Sequence, residues 1–125
     1  MNKDIKKKWI SALRSGEYKQ AHHRLMRVRN EEKSYCCLGV LTDLFHKETG
    51  KGEWILKEIP NASAGIFKIG HFENETVLPL EVIEWAGLTS HSPQVGEHSL
   101  VEHNDGGDIL EKDFIKIANL IQRHL

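Results

Sequence analysis

The segment Tyr35–Phe45 is the longest apolar run in the sequence and contains both cysteines, so it has to lie in the middle of the core. Periodicity alone does not separate a buried helix from a buried strand in such a run. Its length favours a helix, with Ser34 as a candidate N-cap and Gly50 as a stop signal after a polar ending. Gly39 weakens a helix, which indicates that a neighbouring segment packs closely against its bare face.

The two cysteines, Cys36 and Cys37, are adjacent and are expected to be buried thiols in a reducing compartment. Neighbouring cysteines rarely bridge each other because disulfide geometry is restrictive, and two cysteines give no disulfide framework. A redox, metal-binding or nucleophilic role stays open. Burial in an apolar run argues against it, because burial suppresses the reactivity of a thiol.

Two helices are predicted before this run. Residues 4–14 show an apolar stripe at helical spacing with lysines on the other side, formed by Ile5, Trp9, Ile10 and Leu13. A second, shorter helix is predicted from Tyr18 to about Val28, again from apolar spacing. Residues 30–33 are expected to form a charged loop.

The middle of the chain favours a small antiparallel sheet or hairpin. Residues 60–63 form a turn-rich break. Residues 66–69 and 71–77 are typical of short strands, and Gly70 between them marks a bend or bulge.

The last third of the chain is predicted to be mainly helical. Leu80–Trp85 is typical of a short helix, with Pro79 suited to its first turn and Gly87 to its C-terminal cap. The other predictions are a loop over 88–96, an irregular segment over 100–107 and a final helix from about 109 to 124. Residues 1–125 are therefore predicted to form a single compact α+β domain. In it, N- and C-terminal helices and a buried central helix pack on a small antiparallel sheet.

The charge is nearly balanced overall but uneven along the chain. The formal net charge is −1, so no global basic field favours nucleic acid or an anionic membrane as a partner. Residues 1–29 are basic, with only Asp4 and Glu17 as acids. This pattern fits a local patch for an anionic ligand, and it also fits solvated helix faces.

The sequence predicts a cytoplasmic protein. No segment is long and apolar enough to cross a membrane. The N-terminus has lysines without the apolar stretch that follows them in a signal peptide.

The first candidate ligand-binding group lies in the basic N-terminal part. If residues 18–28 are helical, several side chains would lie near one another, namely Arg14, Gln20, Arg24 and Arg27, with Tyr18 in the same stretch. Guanidinium and amide groups suit phosphate or carboxylate recognition, because the planar guanidinium fork pairs bidentately. The alternative is a solvent-facing basic helix.

The second candidate group is the polar segment 103–108, with His103, Asn104 and Asp105 as the predicted ligand-binding residues. Exposed Asn and Asp side chains on a glycine-bent backbone can bind the edge of a base or a ribose hydroxyl. The alternative is that these residues build a turn and cap the following helix.

The sequence predicts no metal, no cofactor and no catalytic residue. His98, His103 and Asp105 form a candidate group of metal ligands, but no Cys or third His is placed to complete a tetrahedral site. The sequence also contains no recognisable calcium loop, glycine-rich phosphate loop or nucleophile elbow. Enzymatic activity is therefore uncertain, and binding is favoured over catalysis.

Several motifs, in order along nearly the whole chain, resemble a family of small proteins encoded by tailed bacteriophages and prophages. These motifs are Trp9–Gln20, Tyr35–Leu41, Leu78-Pro79, Trp85–Leu88, Ser92-Pro93, Leu100 with Asn104–Gly106, and Phe114–Ile121. The resemblance implies an origin more than a mechanism. Small phage accessory proteins of this size often act by binding.

Two functions follow from this resemblance. The first is a counter-defence protein that sequesters a host immune nucleotide signal in the infected cell, with basic residues for the phosphates and the 103–108 segment for the base or ribose. The second is an inhibitor or modulator that binds a host defence protein, and a nucleotide-degrading enzyme is a third, less favoured reading. Because a sequestering pocket must enclose its ligand, a homo-oligomer is expected.

Overall fold

The computed structural model describes residues 1–107 and 112–125, and it has the predicted α+β architecture. A small antiparallel sheet packs against a central helix, and the first and last helices pack against each other. In chain order the described elements are α1 (Lys3–Arg14), β1 (Met26–Arg29), β2 (Glu32–Tyr35), α2 (Cys37–Thr49), β3 (Glu53–Ile59), β4 (Ala62–Ile69), β5 (Phe72–Asn74), α3 (Leu80–Ala86), β6 (Gln94–Val95), β7 (His98–Ser99), α4 (Leu100–Asp105) and α5 (Phe114–His124).

The main sheet has the order β2-β1-β4-β3, and β5 pairs with the second half of β4 on the side of β1. The β1–β2 hairpin turns at Asn30 and Glu31, whose φ angles of 51° and 65° are those of the type I′ turn that suits the twist of two-residue hairpins. The β3–β4 hairpin turns at Pro60-Asn61 and pairs without interruption from Glu53–Lys68 to Ile59–Ala62.

The buried central helix is confirmed as α2, although its N-cap is not Ser34. Ser34 lies in β2, and the Sγ of Cys36 accepts the N–H of Gly39 at 3.4 Å instead. The helix ends at Gly50, whose φ of 71° is the left-handed conformation that glycine adopts without strain.

The close neighbour predicted at Gly39 is Leu25. A Cβ atom on Gly39 would lie 1.7 Å from the carbonyl oxygen of Leu25, which is far inside van der Waals contact. That carbonyl also accepts the N–H of Cys36 at 3.2 Å. The start of α2 therefore rests directly on the backbone that leads into β1.

The helix predicted from Tyr18 to Val28 is wrong. Residues 26–29 form strand β1 between β2 and β4, and the preceding segment is irregular. A bridge between Gln20 and Tyr35, and a 2.8 Å bond from the N–H of Ala21 to the carbonyl of Tyr35, hold this segment beside the start of α2. Pairing with distant strands outweighs the helical spacing of its apolar residues.

Two predictions in the C-terminal part also need correction. Residues 100–105 are helical rather than irregular, since Ser99 and Glu102 form a capping box at the start of α4. The last helix begins at Phe114, after Asp113 caps it by accepting the N–H of Lys116 at 2.9 Å. The predicted residues 109–111 of that helix lie outside the described residues.

The core is centred on α2, as the apolar run required. The indole N–H of Trp9 in α1 donates to the carbonyl of Cys37 at 3.0 Å, deep in the core. The short helix α3 ends at Gly87, as predicted, with φ 69°. None of the helices in the described part of the chain has the length and apolar character needed to span a membrane.

Candidate ligand-binding site

A basic groove of about 340 Å³ runs between the β1–β2 hairpin and the irregular segment before it. Its described lining consists of Lys19, Gln20, Ala21, His22, Arg27, Arg29, Asn30, Glu32 and Ser34. We call this the basic groove. The lining contains three positively charged side chains and one carboxylate, those of Lys19, Arg27, Arg29 and Glu32. The net charge of the groove is therefore positive and favours an anionic ligand.

The alternation of strand β1 places the arginines of the groove. Successive side chains of a strand point to opposite faces, so Arg27 and Arg29 share the outer face while Met26 packs in the core. The register puts Arg27 opposite Ser34 and Arg29 opposite Glu32, both on the neighbouring strand β2. The hairpin thus builds one wall of the groove from four polar side chains.

Among the described residues, Arg27 carries the one buried side-chain nitrogen or oxygen atom that lacks a hydrogen-bond partner. Its Nε is buried and has no hydrogen-bond partner there, whereas buried polar atoms in folded proteins are nearly always paired. A guanidinium binds phosphate or carboxylate bidentately, through two of its N–H groups.

The opposite wall is the segment Lys19–His22, and Asp105 of α4 holds the His22-His23 turn at its end. His23 has a left-handed φ of 68°, and its backbone N–H donates to the Oδ1 of Asp105 at 2.9 Å. The Nδ1 of His22 lies 2.7 Å from the carbonyl oxygen of Asn104, so this nitrogen carries the proton and donates. Asp105 therefore does not line the groove, but it fixes the position of the turn that ends this wall.

Asn104 is completely buried, which differs from the exposed ligand-binding role predicted for it. Its Oδ1 accepts from the side chain of Gln20 at 3.0 Å and from the N–H of Cys37 at 3.3 Å. Its Nδ2 donates to the carbonyl of Ala21 at 2.8 Å and to Asp105 at 2.7 Å. Asn104 of α4 is thus hydrogen-bonded both to Gln20 and Ala21, which line the groove, and to the first turn of α2.

The structure separates Arg14 and Tyr18 from the basic groove. Arg14 ends α1 and donates to Asn119 and Gln122 of α5, at 2.8 and 2.9 Å. The hydroxyl of Tyr18 donates to the buried carboxylate of Asp43 at 2.7 Å and accepts from Lys47 at 3.2 Å.

Arg24 and His103 also lie away from the groove. Arg24 is half-buried and is not among the described residues that line it. His103 is buried, with its ring centroid 5.7 Å from that of His98. Among the described residues, no three side chains of the His, Cys, Asp and Glu types come close enough together to hold a metal ion.

Of the predicted ligand-binding residues, Arg27 and Gln20 line the basic groove together. The Nε2 of Gln20 is occupied, since it donates to Asn104 and to the carbonyl of Lys112 at 2.9 Å. The sequence prediction missed Lys19 and Arg29, because their proximity to Arg27 depends on the β1–β2 hairpin. The sequence predicts a helix and a charged loop in place of this hairpin. The available signal was the alternation of basic and apolar residues over 26–29, which is typical of a strand.

A protein-family model described as a domain of unknown function (DUF8296) matches residues 1–125. Neither the curated proteins nor the solved structures include one that matches the chain.

Proposed function

Because the chain belongs to the DUF8296 family, whose description assigns no activity, we propose its function from its own surface. We propose that it binds a phosphate-bearing, nucleotide-type ligand in the basic groove and sequesters it without cleaving it. The observation that carries the proposal is the buried, unpaired Nε of Arg27 in a groove of positive charge. In an infected host cell, such a protein would act as a phage-encoded counter-defence protein that removes an immune nucleotide signal.

The size and composition of the groove support a small ligand. Its volume of about 340 Å³ falls at the lower end of the range for small-molecule sites. Lys19 is held by an exposed ion pair with Glu32 at 3.0 Å, and such a pair is weak enough for a phosphate to compete with it. Arg27 and Arg29 would then bind phosphate oxygens, and the His22 side chain would lie against the ligand.

The experiment that tests the proposal is incubation of the protein with a panel of cyclic nucleotides and cyclic ADP-ribose isomers. Unbound nucleotide is then quantified, the protein is heat-denatured, and the released material is analysed by mass spectrometry. Depletion followed by release of intact nucleotide supports sequestration. Release of an altered nucleotide would show catalysis, and no depletion of any member of the panel would overturn the proposal.

A second candidate function is binding of a host defence protein, and a different surface favours it. A pocket of about 480 Å³ between β5 and the start of α3 is lined by the apolar side chains of Ile69, Phe72 and Leu80 together with polar residues. Phe72 is 71% exposed, and exposed aromatic residues are typical anchors of protein interfaces. Pull-down of a host protein that is lost in the Phe72→Ala variant, together with no nucleotide depletion, would favour this function.

A further inference from the structure

Strand β3 is a long, regular edge of the main sheet. It pairs with β4 over seven consecutive residues, and in the described sheet no other strand pairs with its second side. A free edge presents unpaired N–H and C=O groups and is a template for another strand. Natural edge strands are commonly shortened, bulged, interrupted by proline or protected by charged side chains. Strand β3 is seven residues long, without a bulge or a proline, and its charged residues are Glu53, Lys57 and Glu58.

Apolar side chains are exposed on both faces of this edge. Ile55 lies on the outer face, opposite Ile66, and Leu56 lies on the core face, opposite Gly65. Leu56 is 54% exposed, and its cross-strand neighbour Gly65 has no side chain to cover it. Both residues would lose water contact if another strand lay against β3.

A second copy of the chain fits this edge in one register. In a two-fold antiparallel sheet that keeps the core face on one side, each residue faces a partner residue of the same parity. With the axis at Ile55, Ile55 faces itself, Glu53 faces Lys57 and Trp54 faces Leu56 of the second copy. The Glu53–Lys57 pair and the Trp54–Leu56 pair then each occur twice, and the Ile55 pair on the axis occurs once.

The neighbouring registers fit less well. An axis at Trp54 would place the carboxylate of Glu53 against Ile55, without any opposite-charge pair within β3. An axis at Leu56 would place the carboxylate of Glu58 against Trp54 and leave Glu53 opposite Ile59, without any opposite-charge pair. An axis at Lys57 would place two lysines against each other, which is destabilising in a cross-strand pair. The sequence of β3 is therefore self-complementary about Ile55.

We propose that the protein forms a homodimer in which two β3 strands pair antiparallel about Ile55, joining the two sheets into one. The inference does not rest on the proposed nucleotide ligand. The basic groove lies at the β1–β2 edge, opposite β3 in the sheet order, so each subunit keeps its own complete groove. The dimer therefore differs from the subunit-enclosed pocket expected from the sequence.

Sedimentation equilibrium of the full chain over a wide range of concentrations tests the dimer. Ile55→Lys is expected to weaken dimerisation at least about tenfold, because it places two like charges directly opposite each other at the axis and removes the apolar Ile55 pair. The matched control is Ile115→Lys, which changes an exposed isoleucine of α5 outside the interface. Circular dichroism of each variant establishes that it is folded.

A charge swap tests the register. The single variants Glu53→Lys and Lys57→Glu are each expected to weaken the dimer at least about fivefold, and the double variant is expected to restore it. Rescue cannot arise within one chain, because the two positions lie about 13 Å apart along the strand. Within one chain, the lysine introduced at position 53 would lie opposite Lys68, and the glutamate introduced at position 57 would lie beside Glu75. Neither new charge therefore gains an opposite-charge partner in its own chain.

A wild-type chain that stays monomeric at every concentration would overturn the proposal. A dimer that is insensitive to Ile55→Lys would overturn it equally, and so would a double charge-swap variant no tighter than the single variants. Nucleotide depletion by the Ile55→Lys variant is expected to equal that of the wild type, so failure of the dimer proposal is distinguishable from failure of the ligand proposal.

Discussion

The Oδ1 of Asn104 in α4 accepts the backbone N–H of Cys37 at 3.3 Å, in the first turn of the central helix. The same amide donates to the carbonyl of Ala21 at 2.8 Å, on the segment that forms part of the groove. One buried side chain therefore connects three parts of the chain that are far apart in sequence. This connection makes the shape of the basic groove depend on the packing of α2 and α4.

Replacing Asn104 by alanine is expected to destabilise the fold by about 3 kcal/mol, because several buried partners lose their hydrogen bonds at once. Urea denaturation followed by fluorescence measures the free energy of unfolding. Asn119→Ala is the control, since it removes only an exposed bond to Arg14 and is expected to cost less than about 0.5 kcal/mol. Equal losses in the two variants would contradict the role of Asn104.

Gly39→Ala is expected to abolish the native packing or to destabilise it by more than about 3 kcal/mol, since the new methyl group would overlap the carbonyl of Leu25. Thermal denaturation of purified protein checks this. Gly106→Ala is the comparison, because Gly106 is exposed with a φ of −74°, which any residue adopts. A Gly39→Ala variant with the same melting temperature as the wild type would show that α2 and Leu25 are not in close contact.

Both thiols are expected to be unreactive toward disulfide reagents in the native protein. Burial raises the pKa of Cys36 from its ordinary 9.0 to about 12, and burial also raises the pKa of Cys37. Because the pKa of Cys36 is higher in the folded protein than in the unfolded chain, the protonated thiol contributes fully to the stability of the fold below about pH 9. This contribution is lost as the pH rises toward 12. Labelling with a thiol reagent should therefore occur only after addition of denaturant, and rapid labelling of native protein at neutral pH would contradict this.

The two tyrosines of the chain are expected to ionise at unusually high pH. Burial, together with the nearby carboxylate of Asp43, raises the pKa of Tyr18, and the same causes raise the pKa of Tyr35 to about 12. Spectroscopic titration should show less tyrosinate at pH 10 in the folded protein than in the denatured chain, where about half of the tyrosine is ionised. Asp43→Asn should lower both pKa values, and a native titration centred at pH 10 would contradict the buried cluster.

Local signals were sufficient to predict some elements of this fold. The apolar run predicted α2, and glycines at positions 50 and 87 predicted the ends of α2 and α3, because a helix stop depends on adjacent residues. The error over 18–28 has a non-local cause: β1 forms because β2 and β4 pair with it. The capping box at Ser99 was visible in the sequence and would have predicted α4.

The candidate site was predictable only in part, for the same reason. The guanidinium group of Arg27 indicates an anion-binding role from the sequence alone, and Arg27 lines the basic groove in the structure. Its neighbours Lys19 and Arg29 join it only through the β1–β2 hairpin. The sequence predicts Asn104 and Asp105 as exposed ligand-binding residues, but the packing of α4 against the core places them beneath the groove, where they do not line it.

The most direct test of the central claim is equilibrium dialysis of the nucleotide panel against the wild type and two arginine variants. Arg27→Gln removes the guanidinium whose Nε is buried and unpaired, and Arg24→Gln removes a neighbouring arginine that does not line the described groove. The account predicts that Arg27→Gln weakens nucleotide binding about tenfold or more, while Arg24→Gln binds as the wild type does. Equal binding by Arg27→Gln and the wild type, with both folded, would contradict it.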